Sequence, residues 1–205
     1  MSTKFFNFNL PDGASWPEDL VPLDNGGNGG LSEFVVEDNT LKATVEHSSS
    51  VAAVAGYDTG DTNGVIRAKL RSNTGDFDSA NILIRALYVH TFTYIGVSRA
   101  GKVVIGRFIN GSHQVLYDSF NIPDFDINAF YTVEVQLRNA NIRVIFEGDT
   151  LNPIYEIEDG FDVGNTIHGI RLRAGCYCDD LFVGDATTLP LEGQAPQLTV
   201  SGPAY

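Results

Sequence analysis

Cysteine is almost absent from this 205-residue chain, which has only Cys176 and Cys178. Two residues apart on a predicted strand, they point to one face at a Cα separation of about 6.6 to 7 Å. That separation sits at or beyond the usual disulfide limit, so no disulfide framework organises the fold. Three readings remain for the pair: buried thiols, a strained bridge, or half of a metal site. A zinc centre would need more Cys or His nearby than the sequence offers. Basic residues are also scarce. Thirteen Lys and Arg against 26 Asp and Glu leave a net charge of -13, which argues against a nucleic-acid partner, since such proteins present a basic face.

No run approaches the roughly 18 apolar residues of a membrane-spanning helix, which argues against membrane insertion. The opening MSTKFFNFNLPDG lacks the apolar stretch and small-residue cleavage site of a secretory signal. The expectation is a signal removed beforehand or a protein that leaves its host by another route. There is no G-x-S-x-G nucleophile elbow, and His47, His90, His113 and His168 lie far apart in sequence. The Gly-rich NGGNGG at 25–30 precedes a strand rather than a helix, so it offers no helix N-terminus to a phosphate. No segment sustains the i, i+3, i+4, i+7 pattern of an amphipathic helix. At most, Glu158 to Asn165 holds a single helical turn.

Period-two alternation is what the chain has in abundance. Tyr131, Val133, Val135 and Leu137 alternate with Thr132, Glu134, Gln136 and Arg138, the pattern of a half-buried strand. Ile170, Leu172 and Ala174 alternate in the same way with Arg171 and Arg173, predicting one core face and one wet face. Further strands are expected at 4–9, 33–37, 41–45, 51–57, 65–72, 81–87, 91–97, 103–109, 114–120, 142–147, 153–157 and 177–183. Turn residues such as Asp38-Asn39, Asp61-Thr62-Asn63-Gly64 and Asn110-Gly111-Ser112 separate them. About 13 strands are too many for one twisted open sheet, so two sheets must pack face to face with Val135 and Leu172 in the core. We read residues 1–187 as one sandwich domain and 188–205 as a tail, linker-like or partner-docking. Trp16 reads as a plug under the rim.

Gly169 to Gly184, GIRLRAGCYCDDLFVG, reads as a hairpin reversing at Gly175, and it must join strands made much earlier. This stretch resembles the closing hairpin of laminin-G-like jelly rolls in the concanavalin A-like lectin and glucanase superfamily. The Phe-rich opening strand (Phe5, Phe6, Phe8), the segment NILIRA at 81–86 and Phe130-Tyr131 fit the same order. The resemblance implies an all-β, two-sheet antiparallel jelly-roll sandwich. Glycosidases of that superfamily carry a signature resembling E-x-D-x-x-E, which sets two acids at retaining distance. Nothing here matches it. Glu156-Ile157-Glu158-Asp159 departs from the pattern, and Asp179-Asp180 stands where relatives carry a structural acid, so no catalytic residue is assigned.

A binding surface is the better expectation. On the strand 81–87, Ile82, Ile84 and Ala86 form the core set and leave Asn81, Leu83 and Arg85 outside; on 91–98, Tyr94 lies outside. The resemblance implies that Arg85 faces a concave sheet where ligands sit, and Arg171 and Arg173 could share that face. Asn81, Arg85, Tyr94, Arg171 and Arg173 are therefore the candidate carbohydrate-binding residues. The competing reading has these arginines pairing with Glu134 and other acids in surface ladders. Calcium is the one metal to consider, because Asp58, Asp61 and Asn63 concentrate oxygens in one turn; ordinary turn chemistry explains them equally. Asp76 with Asp78, and Asp124, Asp126 and Asn128, are weaker sets. The expectation is a lectin-like module on a virion or extracellular surface, binding a surface glycan or other virion proteins and forming a homo-oligomer. A structural virion subunit without glycan binding and a secreted polysaccharide-active enzyme are the alternatives.

Overall fold

The structure is a computed structural model and describes residues 3–8, 10–13, 19–23, 34–44, 52–73, 80–88, 90–117 and 119–185. Trp16, the Gly-rich run 25–30, Asp76, Asp78 and the tail 188–205 lie outside them. Sixteen strands appear among the described residues: β1 (Lys4–Phe6), β2 (Val21–Pro22), β3 (Phe34–Glu37), β4 (Thr40–Ala43), β5 (Ala53–Asp58), β6 (Gly64–Arg71), β7 (Ala80–Tyr88) and β8 (Thr91–Ser98), followed by β9 (Lys102–Ile109), β10 (Ser112–Val115), β11 (Phe120–Asn121), β12 (Tyr131–Arg138), β13 (Asn141–Phe146), β14 (Tyr155–Glu158), β15 (Ile167–Leu172) and β16 (Tyr177–Asp185).

Every pairing is antiparallel. Sheet A runs β14-β13-β12-β6-β16-β4-β3 with β1 also on β16, and sheet B runs β10-β9-β8-β7-β15-β5-β2 with β11 also on β9. The faces that meet are those the alternation picks out. Ile66, Leu70, Val133, Val135 and Leu137 from sheet A bury against Ile82, Ile84, Ile95, Val97, Ile170 and Leu172 from sheet B. Val135 and Leu172 are completely buried. Cys176 and Cys178 are free thiols in the same core; burial pushes the Cys178 thiol well up.

Four expectations about local structure change. The run around Gly175 is not a hairpin: β15 pairs with β5 and β7 in sheet B, whereas β16 pairs with β1, β4 and β6 in sheet A. The turn at Gly175, which has φ of 77°, carries the chain across the sandwich, with Gly175 N–H donating to Ala43 O and Cys176 N–H to Arg173 O. A glycine reversal between two extended runs serves a hairpin and a sheet-to-sheet arch equally well. The strand expected at 114–120 is broken in two, because Val115 of β10 opposes Gly106 and Phe120 of β11 opposes Val103, so the register on β9 does not run through. The expected helical turn before β15 is a plain turn closed by Asn165 N–H donating to Asp162 O.

A fourth change concerns β7. Its alternation holds through Ile84 and then breaks at Arg85, whose φ is 51°. The registers of β7 with both β8 and β15 shift at this place, the mark of a bulge with one extra residue. Past the bulge the faces exchange, so Ala86 joins the outer cluster rather than the core.

Candidate functional site

Arg85 is the first correction among the candidate binding residues. The bulge turns its side chain away from the outer face of sheet B to the end of the sandwich, where it is buried. One guanidinium nitrogen donates to Asn139 O in the β12-β13 turn and the other to Asp159 O at 3.3 Å. Arg107 pairs with the Asp159 carboxylate and stacks 3.9 Å from the Phe161 ring centroid. His168 completes this end plug. Its Nδ1 accepts from Arg85 N–H at 3.2 Å and its Nε2 donates to Asp61 O at 3.3 Å, so the neutral ring carries its proton on Nε2. Burial lowers the His168 pKa to about 4, and the nearby Arg85 charge acts in the same direction. Arg85 thus ties the two sheets together instead of reading a ligand.

The other candidates come together on the outer face of sheet B. Directly opposed residues of antiparallel strands share a face, and the register lines up Val54, Arg171, Asn81, Gly96 and Val104 across five strands. The next row holds Gly56, Gly169, Leu83, Tyr94, Gly106 and Val115. Beyond it lie Phe92, Phe108 and His113, and at the opposite end Ser98 faces Lys102. Arg173, just past β15, is half-buried at the turn.

This face is not the open polar surface expected from alternation alone. Val54, Leu83, Ala86, Phe92, Tyr94 and Val104 form a second apolar cluster, against which Leu23, Phe108 and Ile167 pack. Tyr94 has no exposed surface and Arg171 is 4% exposed. The Tyr94 ring lies over Gly106, where a Cβ would come within 2.3 Å of its hydroxyl. Tyr94 Oη hydrogen-bonds His113 Nε2 at 2.6 Å, and the two rings stack with centroids 5.8 Å apart. The Arg171 guanidinium crosses the face to sit 4.8 Å from the Phe108 ring centroid.

Asn81 is the exceptional residue. It is completely buried, and neither Oδ1 nor Nδ2 has a hydrogen-bond partner. Its amide lies flat on Gly96, where a Cβ would fall 1.8 Å from Oδ1. The Ser98 hydroxyl, two residues along β8 on the same face, is likewise buried and unpartnered. Native folds seldom leave such groups unsatisfied, because each costs about 1–3 kcal/mol. One described acid shares these rows, because Asp58 stands opposite Ile167, which in turn opposes Ala86.

The other acids lie elsewhere. On the outer face of sheet A, Arg67 pairs with Glu134 at 3.6 Å, Lys42 with Glu37 at 2.6 Å, Arg143 with Glu156 at 3.0 Å, and Lys69 with Asp180. Glu134 therefore pairs with Arg67. Asp179, from the adjoining position, accepts from Asp180 N–H at 2.8 Å. One side-chain oxygen each of Asp58, Asp61 and Asn63 accepts hydrogen bonds from the protein itself. Asp58 accepts from Thr166 at 2.6 Å and from Gly60 N–H at 2.9 Å, Asp61 from Asn63 N–H at 2.9 Å, and Asn63 from Asn139 N–H. These bonds hold the Asp58 carboxyl below its ordinary range. Among the described residues no cluster of three or more Asp, Glu, His or Cys side chains is placed to hold a metal.

Sequence reasoning found Asn81, Tyr94 and Arg171 but missed Gly96, Ser98, Lys102, Phe108 and His113. Carrying the alternation of β8 through Gly96 to Ser98 would have found the first two. The Phe108 and His113 positions depend on strand pairing, which no local pattern declares.

No family model and no curated protein matches the sequence. Solved structures do match. A beta-glucanase from Bacillus licheniformis aligns at 11% identity with a TM-score of 0.60, over 90% of this chain and 98% of that one. A carbohydrate-binding module from Bacillus subtilis aligns at 11% identity and a TM-score of 0.52, over 81% and 91%. A xylan beta-1,4-xylosidase from Bacillus halodurans aligns at 12% and 0.61, over 88% of this chain and 39% of that chain. Likeness at such identities shows the fold alone, a two-sheet antiparallel jelly roll.

Proposed function

We propose that this protein is a non-catalytic saccharide-binding module that takes its ligand on the outer face of sheet B. The observation that carries the reading is the Asn81 amide, buried without a partner on a glycine floor and directly opposed by Arg171. A sugar ring presents vicinal hydroxyls that donate and accept at once, which suits an amide offering both functions. Tyr94, Phe108 and His113 add the apolar and aromatic surface on which a pyranose face can rest. The ligand approaches from the β9-β10 side, where Phe108 is half-buried and His113 exposed. Asp58, the single described acid in these rows, is bonded to Thr166 and Gly60 N–H and has no second acid across from it, which supports the non-catalytic reading, since glycosidic cleavage uses a pair of acids. Neighbouring folds in the comparison include both hydrolases and a carbohydrate-binding module, so this inference rests on the side chains.

A single site of millimolar strength contributes only about 4.1 kcal/mol, and useful attachment then needs several copies acting together. Multivalent display, as on a virion surface, belongs to the same proposal. The test is a glycan array probed with a tetravalent display of the chain. Capture of a defined set of glycans, lost in Asn81→Ala, is expected. An array without any bound glycan, or an Asn81→Ala variant that binds as the parent does, would refute it.

A further inference from the structure

The geometry points to a carboxylate-binding site on the outer face of sheet A, on the opposite side of the sandwich from the proposed saccharide surface and independent of it. Its centre is Arg71, the last residue of β6. The register sets Arg71 opposite Tyr177 of β16 and Tyr177 opposite Lys42 of β4. On the other flank Tyr131 opposes Leu70, which brings Phe130 alongside Arg71. A single row therefore alternates ring and cation: Phe130, Arg71, Tyr177, Lys42. The guanidinium carbon of Arg71 lies 3.8 Å from the Tyr177 ring centroid and 4.8 Å from that of Phe130, and Lys42 Nζ lies 5.4 Å from the Tyr177 centroid. All four residues are half-buried, so the row is open to solvent.

Arg71 differs from its neighbours in having no anion. Lys42 meets Glu37, Arg67 meets Glu134, Lys69 meets Asp180 and Arg143 meets Glu156. Among the described residues the Arg71 guanidinium has neither a carboxylate nor a hydrogen-bond acceptor, and its Nε is buried without one. Acids are not in short supply, for 26 stand against 13 bases in the chain. Asp179, on the same face and diagonal to Arg71, stands opposite Lys69 and accepts from Asp180 N–H at 2.8 Å. Burial and the Asp180 charge hold its carboxyl above the ordinary range, the reverse of what pairing with Arg71 would produce. Stacking on rings uses the flat faces of a guanidinium and leaves its in-plane N–H groups as donors. With Nε buried, the fork that remains is the Nη pair, whose parallel N–H bonds match the two oxygens of a carboxylate. Rings on both flanks favour a flat acid on an apolar body over tetrahedral phosphate. The packing already restricts the arginine, so a ligand meets a preorganised fork.

The experiment titrates the intact chain with benzoate, benzamide and inorganic phosphate and follows the backbone amides by two-dimensional NMR. Arg71→Lys and Arg71→Gln, checked for fold in the same spectra, are measured alongside. Benzoate should give saturable shifts centred on Arg71, Ser72 and Tyr177, while benzamide and phosphate bind about tenfold more weakly or not at all. Arg71→Lys keeps the charge without the planar fork and should lose about tenfold in benzoate affinity, and Arg71→Gln should abolish the shifts. Benzamide equal to benzoate would overturn the carboxylate, and phosphate equal to benzoate would overturn the selection by the rings. Both comparisons are made on the parent chain and need no variant. Benzoate binding unchanged in Arg71→Lys would overturn the role of the fork. Shifts that do not saturate, or that centre away from this row, would overturn the site. Each of these outcomes leaves glycan capture by the opposite face standing.

Discussion

Replacing Asn81 with leucine should make the protein more stable and less able to bind. The side chains have the same branched outline, so leucine can occupy the space over Gly96 and beside Val104 with little repacking. What changes is the price of burying an amide whose two polar atoms have no partner, about 1–3 kcal/mol in a native interior. Removing that cost in a domain of this size should raise the melting temperature by about 2–4 °C for each kcal/mol. A calorimetric melt of Asn81→Leu against the parent supplies the first reading, and the glycan array the second. The combination matters, since a residue kept at a cost to the fold is one retained for another task. A fall of several degrees would refute the reasoning, because it would mean that the amide already has hydrogen bonds that leucine cannot replace.

Acid should weaken the fold through His168. Its folded-state pKa of about 4 lies below the ordinary 6.5, so its contribution is complete above pH 6.5 and is lost as the pH falls toward 4. The difference amounts to about 3 kcal/mol, and His168→Gln should flatten this part of a stability-against-pH curve measured by urea unfolding. Truncating the core residue Leu172 to alanine should cost about 2–5 kcal/mol, and Val135→Ala somewhat less; a loss under about 1 kcal/mol by denaturant midpoint would contradict their placement. Arg85→Met should lower stability by about 2–4 kcal/mol by removing the donors to the Asn139 and Asp159 carbonyls. At temperatures where Arg85→Met remains folded, its glycan capture should match the parent's, which separates the end plug from the binding face.

Much of the architecture is legible in the sequence because burial on a sheet has a period of two. Val133, Val135 and Leu137 declare their strand by themselves, as do Ile170 and Leu172. The face of Asn81, Tyr94 and Arg171 is legible for the same reason. Their burial is not, because it depends on what lies across from them: Phe108, Leu23 and Ile167 come from distant parts of the chain. Arg85 escapes the pattern because nothing about an arginine announces a positive φ, and one inserted residue reverses every side chain that follows. The turn at Gly175 is legible as a reversal, but whether its two strands remain in one sheet is settled by β5, β7, β4 and β6, all made more than eighty residues before it.

The position of those two late strands bears on how the protein is born. β15 occupies the gap between β7 and β5, and β16 the gap between β6 and β4, so each sheet is missing a central member until the last tenth of the described chain emerges. On a ribosome adding about 5–20 residues per second, β5 must wait roughly 5 to 20 seconds for its partner. Throughout that interval unsatisfied backbone edges stand on both sides of each vacancy, open to wrong strands from neighbouring nascent chains. Efficient production should therefore depend on holding translation intermediates apart, and a stop codon just before residue 167 should yield insoluble chain rather than a smaller working sandwich.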